Sequence, residues 1–395
     1  MRKSYYSEGN VYFCIDSRYQ IEEILGKGSY GTVCRAVEIV SVGEPSRIAI
    51  KRVTDIFKKE VLLKRAIREL KLMKHFKGHK NVSNLKKLSF IIFFQLFLVI
   101  FLFYLFIGVF FINIQIVSLI DIDLVNQRPY EGLYCYQELV EYDLAKVIYS
   151  NIQFSEFHIQ SFIYQILCGL SYIHSADVIH RDLKPGNILV SVDGVLKICD
   201  FGLARGISVD FMNNSKPREP ITNYVATRWY RAPELMLSDK IYDKSVDLWA
   251  LGCIICELYG RKPLFIGKDQ LHQIQQIMKI LGSPSSELRT KLQWKQIPFN
   301  KSYSKVNWQN LYPYTTNKLI YDLIDNLLQW EPSKRLTVDQ VMNHQYLSDI
   351  RDDGSETKCD KVFNFDWENQ CNSIFDLKRL IQLEVKDFKR ERNNL

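Results

Sequence analysis

Between Tyr19 and Val53 short apolar runs alternate with turn residues, the period-two pattern of antiparallel strands. The period changes at Lys59. In KEVLLKRAIRELKLMKH (residues 59–75) apolar residues recur at helical spacing among lysines and arginines, which predicts a basic amphipathic helix. Leu133 to Leu139 reads as another strand. From Asn151 onward helical patterns dominate, in FHIQSFIYQILCGLSYIHS, KSVDLWALGCIICELYG, DQLHQIQQIMKILG, KLIYDLIDNLLQW and VDQVMNHQYL. The pattern predicts an α+β chain in two lobes: a strand-rich part with one main helix, then a mostly helical part. No internal repeat and no long Gly/Ser/Pro linker divides it.

One stretch breaks this pattern. Phe90 to Ile112 holds 23 residues, of which Gln95 is the only clearly polar one. At about 1.5 Å per residue that is long enough to cross a bilayer. A hydropathy reading alone calls it a transmembrane segment.

Composition adds little. The chain of 395 residues is 47% hydrophobic and 24% charged, as a globular protein is. Its net charge of +8 is explained by a solvated surface, so no partner follows from it. The nine cysteines are scattered. Cys253 and Cys256 form a C-x-x-C inside an apolar helix and read as buried thiols, with no second pair nearby to make a metal site. MRKSYYSEGN lacks the apolar core of a secretory signal.

Five short motifs carry chemistry. LGKGSYGTV sets Gly26, Gly28, Gly31 and Val33 in a G-x-G-x-x-G-x-V pattern around Lys27, Ser29 and Tyr30. Glycine lets backbone approach phosphate oxygens, but an ordinary hairpin turn reads as well. The dinucleotide-binding version needs a helix straight after the glycines, and the strand-like TVCRAVEIV that follows instead favours a strand–turn–strand flap over a nucleotide. Lys51 follows in IAIKRV, and Glu69 sits in the amphipathic helix; alone, each is an ordinary solvated charge. VIHRDLKPGNILV then supplies His180, Arg181, Asp182, Lys184 and Asn187. KICDFGLA supplies Asp200, Phe201 and Gly202, and RWYRAPEL ends in Ala232, Pro233 and Glu234. In this order the motifs resemble the eukaryotic protein kinases over roughly residues 19–347.

That resemblance implies a bilobal fold, ATP and Mg²⁺ as cofactors, and phosphoryl transfer catalysed by positioning and charge neutralisation. Lys51 would hold the α- and β-phosphates with Glu69 fixing its direction. The glycine loop, with Val33, would cover the nucleotide. Glu138 to Val140 would form the hinge that bonds adenine, beside the gatekeeper Gln137. Asp182 would orient the acceptor hydroxyl and take its proton, Lys184 would hold the γ-phosphate, and Asn187 and Asp200 would bind Mg²⁺. The lysine after H-R-D resembles serine/threonine kinases. Glu234 with Arg335 looks like the family's buried ion pair, and Asp247 like its structural aspartate behind the catalytic loop.

ITNYVATRWYRAPE is similar to the activation segment of mitogen-activated protein (MAP) kinases. It implies phosphorylation of Thr222 and Tyr224 by an upstream dual-specificity kinase, with Arg181 as a partner for phospho-Thr222. Asn223 stands where the family has Glu, Pro or Gly. Further stretches resemble fungal cell-wall-integrity MAP kinases. The same analogy implies Ser/Thr-Pro protein substrates, phosphatases and docking-motif proteins as partners, no direct nucleic-acid binding, and residence in cytoplasm and nucleus. Asp352, Asp353 and Glu356 would form an acidic docking patch, although a solvated loop reads nearly as well and Ser355 replaces an expected acid. The implied domains are an extension (1–18), a small lobe (19–140), a large lobe (141–347) and a C-terminal extension (348–395) packing back on the small lobe. The rival readings are a catalytically dead scaffold and a membrane-tethered kinase.

A single crossing at Phe90–Ile112 would put Lys51 and Glu69 on one side of a membrane and Asp182 and Asp200 on the other. An insert spanning 82–115 has a simpler reading. Val82-Ser83 can be encoded by GTAAGT and Ile114-Gln115 by ATTCAG, which are splice-donor-like and acceptor-like sequences. Nine of the chain's 23 phenylalanines lie between Phe90 and Phe111, as translated T-rich intron DNA would give. Removing 82–115 joins GHKN directly to IVSLIDIDLV. We therefore expect the principal transcript to lack the codons for residues 82–115. Sequencing the cDNA checks this, and a principal species that retains them refutes it.

Overall fold

The alternation read between Tyr19 and Val53 becomes three strands of one sheet: β3 (Tyr19–Gly28), β4 (Gly31–Glu38) and β5 (Arg47–Val53). The structure is a computed structural model. It describes residues 3–28, 31–39, 45–76, 115–207, 228–237, 242–291, 294, 301–352, 354, 356–371 and 373–393. The apolar stretch Phe90–Ile112, and all of 82–115 but Gln115, lie outside these. Among the described helices none is long and apolar enough to cross a membrane.

The described chain divides into two compact units. The first holds residues 1–139, 352–357 and 366–395; the second holds 140–351 and 358–365. The first unit is built on an antiparallel sheet of order β3-β4-β5-β7-β6, completed by β6 (Leu119–Val125) and β7 (Gly132–Glu138). Helix α1 (Glu60–Phe76) follows β5 and buries Leu63, Ala66, Ile67, Leu70 and Met73. This is the three-to-four-residue spacing that the sequence displays.

Within the N-terminal extension expected at 1–18, β1 (Lys3–Glu8) and β2 (Val11–Asp16) form a hairpin, turning at Gly9 with φ +55°. Phe13 and Ile15 are fully buried in the sheet's core with Cys34, Ile50, Tyr134 and Tyr136. The phenol oxygens of Tyr134 and Tyr136 accept the N–H groups of Cys14 (3.1 Å) and Asp16 (3.0 Å). Burial of the two side chains is worth roughly 1.5–3 kcal/mol each, against about 1 kcal/mol per hydrogen bond. The apolar contacts therefore hold the hairpin, and the tyrosines set its register.

In the second unit, α2 (Leu144–Ile148) and α3 (Glu156–Ser175) precede two small sheets. One has order β11-β10-β8, from β8 (Tyr142–Asp143), β10 (Ile188–Val190) and β11 (Leu196–Ile198). The other pairs β9 (Val178–Ile179) with β12 (Arg205–Gly206). Then come α4 (Glu234–Leu237), α5 (Ser245–Gly260), α6 (Gln270–Leu281), α7 (Ser286–Lys291), α8 (Trp308–Leu311), α9 (Leu319–Leu327) and α10 (Val338–Met342). Ser155 starts α3 with a capping box completed by His158. Helix α5 is apolar on all sides and buried almost throughout. Its Cys253 and Cys256 are free thiols pushed upward in pKa by burial, Cys256 to about 12. The helix read in VDQVMNHQYL stops at Met342, and Gln345–Leu347 forms a separate 3₁₀ turn capped by His344.

The C-terminal extension does not stay in one unit. Residues 358–365 belong to the second, while α11 (Trp367–Gln370) and α12 (Ile374–Asn393) belong to the first, where α12 packs on α1 and β6.

Glycines of the β3–β4 hairpin differ in what they permit. A Cβ on Gly31 would lie 2.0 Å from the Arg52 carbonyl oxygen, whereas one on Gly26 would meet no atom of the described residues within 4 Å. We expect Gly31→Ala to destabilise the fold by about 1–3 kcal/mol, the usual cost of forced overpacking, and Gly26→Ala to leave stability nearly unchanged. Thermal denaturation of the two variants checks the contrast.

Candidate functional site

In the first unit the site begins with the β3–β4 hairpin. Gly28 pairs with Gly31, so only residues 29 and 30 connect the strands. This is the strand–turn–strand flap read from the sequence. Gly26, Lys27 and Gly28 are exposed, and Val33 is half-buried; Ser29 and Tyr30 lie outside the described residues. The three glycines serve different needs. Gly31 is demanded by the backbone of β5, while a Cβ on Gly26 or Gly28 would meet no atom of the described residues closer than 3.9 Å, room in which a ligand's oxygens could approach.

Lys51 lies in β5, paired across the sheet with Val33 and Cys135. Its ammonium donates to Glu69 Oε1 at 2.6 Å. Glu69 projects from the buried face of α1, so helix packing sets its reach. Both side chains are mostly shielded from water, at 17% and 9% exposure, which strengthens the attraction over that of a surface pair. Gln137, expected as gatekeeper, donates to the Met73 sulfur of α1 at 3.4 Å. Glu138 is held to the residue just before β6: its carboxylate accepts from Ser118 N at 2.6 Å. The chain passes from the first unit to the second between Leu139 and Val140, inside the expected hinge.

In the second unit the loop after β9 carries His180, Arg181, Asp182 and Lys184. Its shape is imposed from behind by Asp247 in the first turn of α5. The Asp247 carboxylate is buried and accepts three hydrogen bonds, from His180 N (2.9 Å), Arg181 N (2.9 Å) and His174 Nε2 (2.8 Å). Burial alone would raise its pKa. The hydrogen bond and charge of His174, helped by His180 and the Arg181 N–H, outweigh that and hold it below the ordinary carboxylate value. Arg181 takes a left-handed backbone at φ +67°, a strained conformation for such a residue.

Asp182 is the point on which this loop converges. Its Oδ2 accepts from Lys184 Nζ at 2.6 Å and from Asn187 Nδ2 at 3.0 Å, and its carbonyl oxygen accepts from the same amide at 2.8 Å. Asp200 reaches the same neighbourhood through the β10–β11 hairpin. Ile188 pairs with Ile198, and Cys199 N donates to Asn187 O at 3.0 Å, so Asn187 and Asp200 leave the hairpin side by side. His180 adds a second tie, its Nε2 lying 3.0 Å from the Cys199 carbonyl oxygen. Asp200 sits at φ +66° and caps the turn through Gly202 N. A hard cation wants oxygen donors, and the Asp200 carboxylate and Asn187 amide oxygen supply them. Asn187 turns its amide nitrogen to Asp182, which leaves its oxygen for such an ion.

Glu234 and Arg335 form the expected buried ion pair, bidentate at 2.6 and 2.8 Å. Thr222, Asn223, Tyr224, Asp353 and Ser355 lie outside the described residues. Asp352 and Glu356 are half-buried, with Asp352 accepting from Gly354 N at 3.1 Å. Sequence reading missed His174. Its only sequence signal is a histidine in the last turn of an otherwise apolar helix.

The family profile described as "Protein kinase domain" matches residues 113–347. The chain is 48% identical over 383 residues to the sporulation-specific mitogen-activated protein kinase SMK1 of Saccharomyces cerevisiae, covering 95% of this chain and 89% of that protein. It is 42% identical over 389 residues to the mitogen-activated protein kinase SLT2/MPK1 of the same yeast, covering 96% and 72%. To the mitogen-activated protein kinase MPS1 of Pyricularia oryzae it is 41% identical, covering 96% and 82%.

A lowered pKa gives Asp247 a definite sign in stability. Its contribution is present above the unfolded value of about 3.8 and is lost as pH falls below it. We expect Asp247→Ala to cost about 3 kcal/mol at neutral pH, because two loop N–H groups and a histidine lose their acceptor. The loss should shrink as pH falls below about 3.8, where Asp247 of the unfolded chain takes up a proton that the folded carboxylate resists. Urea denaturation of both proteins from pH 7 to pH 3 checks this.

Proposed function

The chain belongs to the protein kinase family, among the mitogen-activated protein kinases, and from that premise we propose that it transfers the γ-phosphoryl group of ATP to serine and threonine hydroxyls of proteins. The observation that carries the residue roles is the Asp182 cluster: one carboxylate oxygen fixed by Lys184 and Asn187, on a loop hung from Asp247. With one oxygen so occupied, the other is left to receive an acceptor hydroxyl and its proton. Lys184 stands beside it to neutralise the γ-phosphate. Lys51, directed by Glu69, holds the α- and β-phosphates, and the open side of Gly26 and Gly28 admits their oxygens. Magnesium, when bound through Asn187 and Asp200, supplies neutralisation of the phosphate charge. Glu138 and Val140 offer backbone groups to adenine. All these residues are present, which disfavours a dead scaffold.

Activation follows the family's logic. Phosphates on Thr222 and Tyr224, added by an upstream dual-specificity kinase, bring close to two negative charges each and order their segment through arginines such as Arg181. Substrates carry Ser/Thr-Pro, and partners dock through basic motifs near Asp352, Asp353 and Glu356. The protein acts in cytoplasm and nucleus. Resemblance to the cell-wall-integrity branch favours wall stress, while the 48% identity to a sporulation-specific kinase favours spore formation.

The insert belongs to the same proposal. The family profile begins to match at residue 113, where the apolar stretch ends, although the glycine hairpin, Lys51 and Glu69 all precede it. A break at this point is what a retained intron would produce.

Transfer of labelled γ-phosphate to a Ser-Pro or Thr-Pro peptide tests the function. We expect Asp182→Asn to lower kcat by about 10²–10⁴-fold, the usual worth of general-base catalysis, with KM for ATP little changed. Equal rates for the two proteins would overturn the assignment of Asp182.

A further inference from the structure

Helix α12 has one apolar stripe, Leu377, Ile381, Val385 and Phe388, buried against α1 and β6. On either side of the stripe the charges are sorted. Toward α1 the helix presents an acid: Glu384 accepts from both Lys71 and Lys74, the latter at 3.2 Å. Glu391 stands 3.9 Å from Lys74 as well. Toward β6 it presents bases: Lys389 donates to Asp123 and Arg392 to Asp121. Asp121 and Asp123 are themselves buried, and Lys3 of the N-terminal hairpin donates to Asp123 at 2.5 Å.

The sorting has a mechanical consequence. Helix α1 carries Glu69, and Lys71 and Lys74 lie two and five residues beyond it. Strand β6 belongs to the same sheet as β5, which carries Lys51. Helix α12 is therefore tied by one sign of charge to the element bearing the acid, and by the opposite sign to the sheet bearing the lysine. Sliding α12 along its axis breaks pairs on both sides at once, and moving α1 away from the sheet breaks those on one side or the other. Burial would raise the Glu384 carboxyl, and the hydrogen bonds and charges of Lys71 and Lys74 outweigh it, holding it lower than usual. Lys71, Lys74 and Glu384 are all largely shielded from solvent, so this is not a screened surface contact of small worth.

We propose that Glu384 is a positioning residue for the Lys51–Glu69 ion pair, holding α1 against the sheet through Lys71 and Lys74. It touches neither nucleotide nor acceptor and acts only by fixing where Glu69 stands. The proposal rests on the reading of Lys51 as the phosphate-holding lysine.

The test uses the full chain. Glu384→Lys should raise KM for ATP by about tenfold and leave KM for the acceptor peptide unchanged, since only the nucleotide side of the reaction depends on Lys51. Reversing the partners as well, in Glu384→Lys with Lys71→Glu and Lys74→Glu, should restore KM for ATP to within about twofold of wild type. Arg379→Ala, on the exposed face of α12, serves as the control and should change nothing. A Glu384→Lys protein with a lowered Tm but wild-type KM for ATP overturns the proposal, as does a triple variant that regains Tm without regaining KM. If the wild-type chain transfers no phosphoryl group, the reading of the site fails instead. The positioning claim is then decided by amide hydrogen exchange. Glu384→Lys must accelerate exchange in residues 66–76, and unchanged exchange there refutes it.

Discussion

Asp247 is ionised, buried and ringed by three N–H donors, and the loop bearing Asp182 takes its shape from those three bonds. An unpaired buried carboxylate would be costly, so the backbone N–H groups of His180 and Arg181 are drawn inward to meet it. Turning those two amides inward forces Arg181 into a left-handed conformation. The next residue, Asp182, then faces Lys184 and Asn187. His180 extends the tie by reaching the Cys199 carbonyl, one residue before Asp200. A single charge in α5 thus organises two segments that contribute to the site.

Three of the most deeply buried carboxylates of the second unit, Glu234, Asp247 and Glu257, are each stabilised differently. Glu234 meets a full opposite charge in Arg335, whose guanidinium also donates to the Gln329 and Ser245 carbonyls and lies over the Trp249 ring. Asp247 relies on backbone N–H groups and an imidazole, which favour its charged form. Among the described residues, the Glu257 carboxylate has only the phenols of Tyr149 and Tyr230 as donors. Burial prevails there, and its pKa is raised. The contrast follows from donor strength: phenols compensate less of the lost hydration than a guanidinium or a set of oriented amides. In the first unit, the charges of α12 perform the corresponding task between elements, tying α1 to β6.

The grouping of the candidate site's residues was legible because they stand at short spacing along the chain. Asp182, Lys184 and Asn187 lie within six residues, and one loop brings them together whatever surrounds it. The pairing of Lys51 with Glu69 was legible too, since a strand lysine and a helix acid in the family's order have one way to meet. The N-terminal hairpin was not read, although Gly9-Asn10 between two alternating runs is a turn signal. Its strands are short, and their stability comes from Phe13 and Ile15 entering a core formed by Tyr134 and Tyr136, more than a hundred residues away. His174 was missed for the same reason: nothing near it in sequence shows that Asp247 will lie within hydrogen-bonding distance.

Sequence alone determined the element types, the ordered motifs and hence the family and its chemistry, because these depend on local periodicity and on residue identity. Tertiary structure decided which glycine serves the fold and which leaves space, that the C-terminal extension divides between the units, and that α12 sorts its charges between α1 and β6. Each of these is set by contacts between residues far apart along the chain. Such contacts follow from how faces pack and how charges are shielded, and no local pattern encodes them.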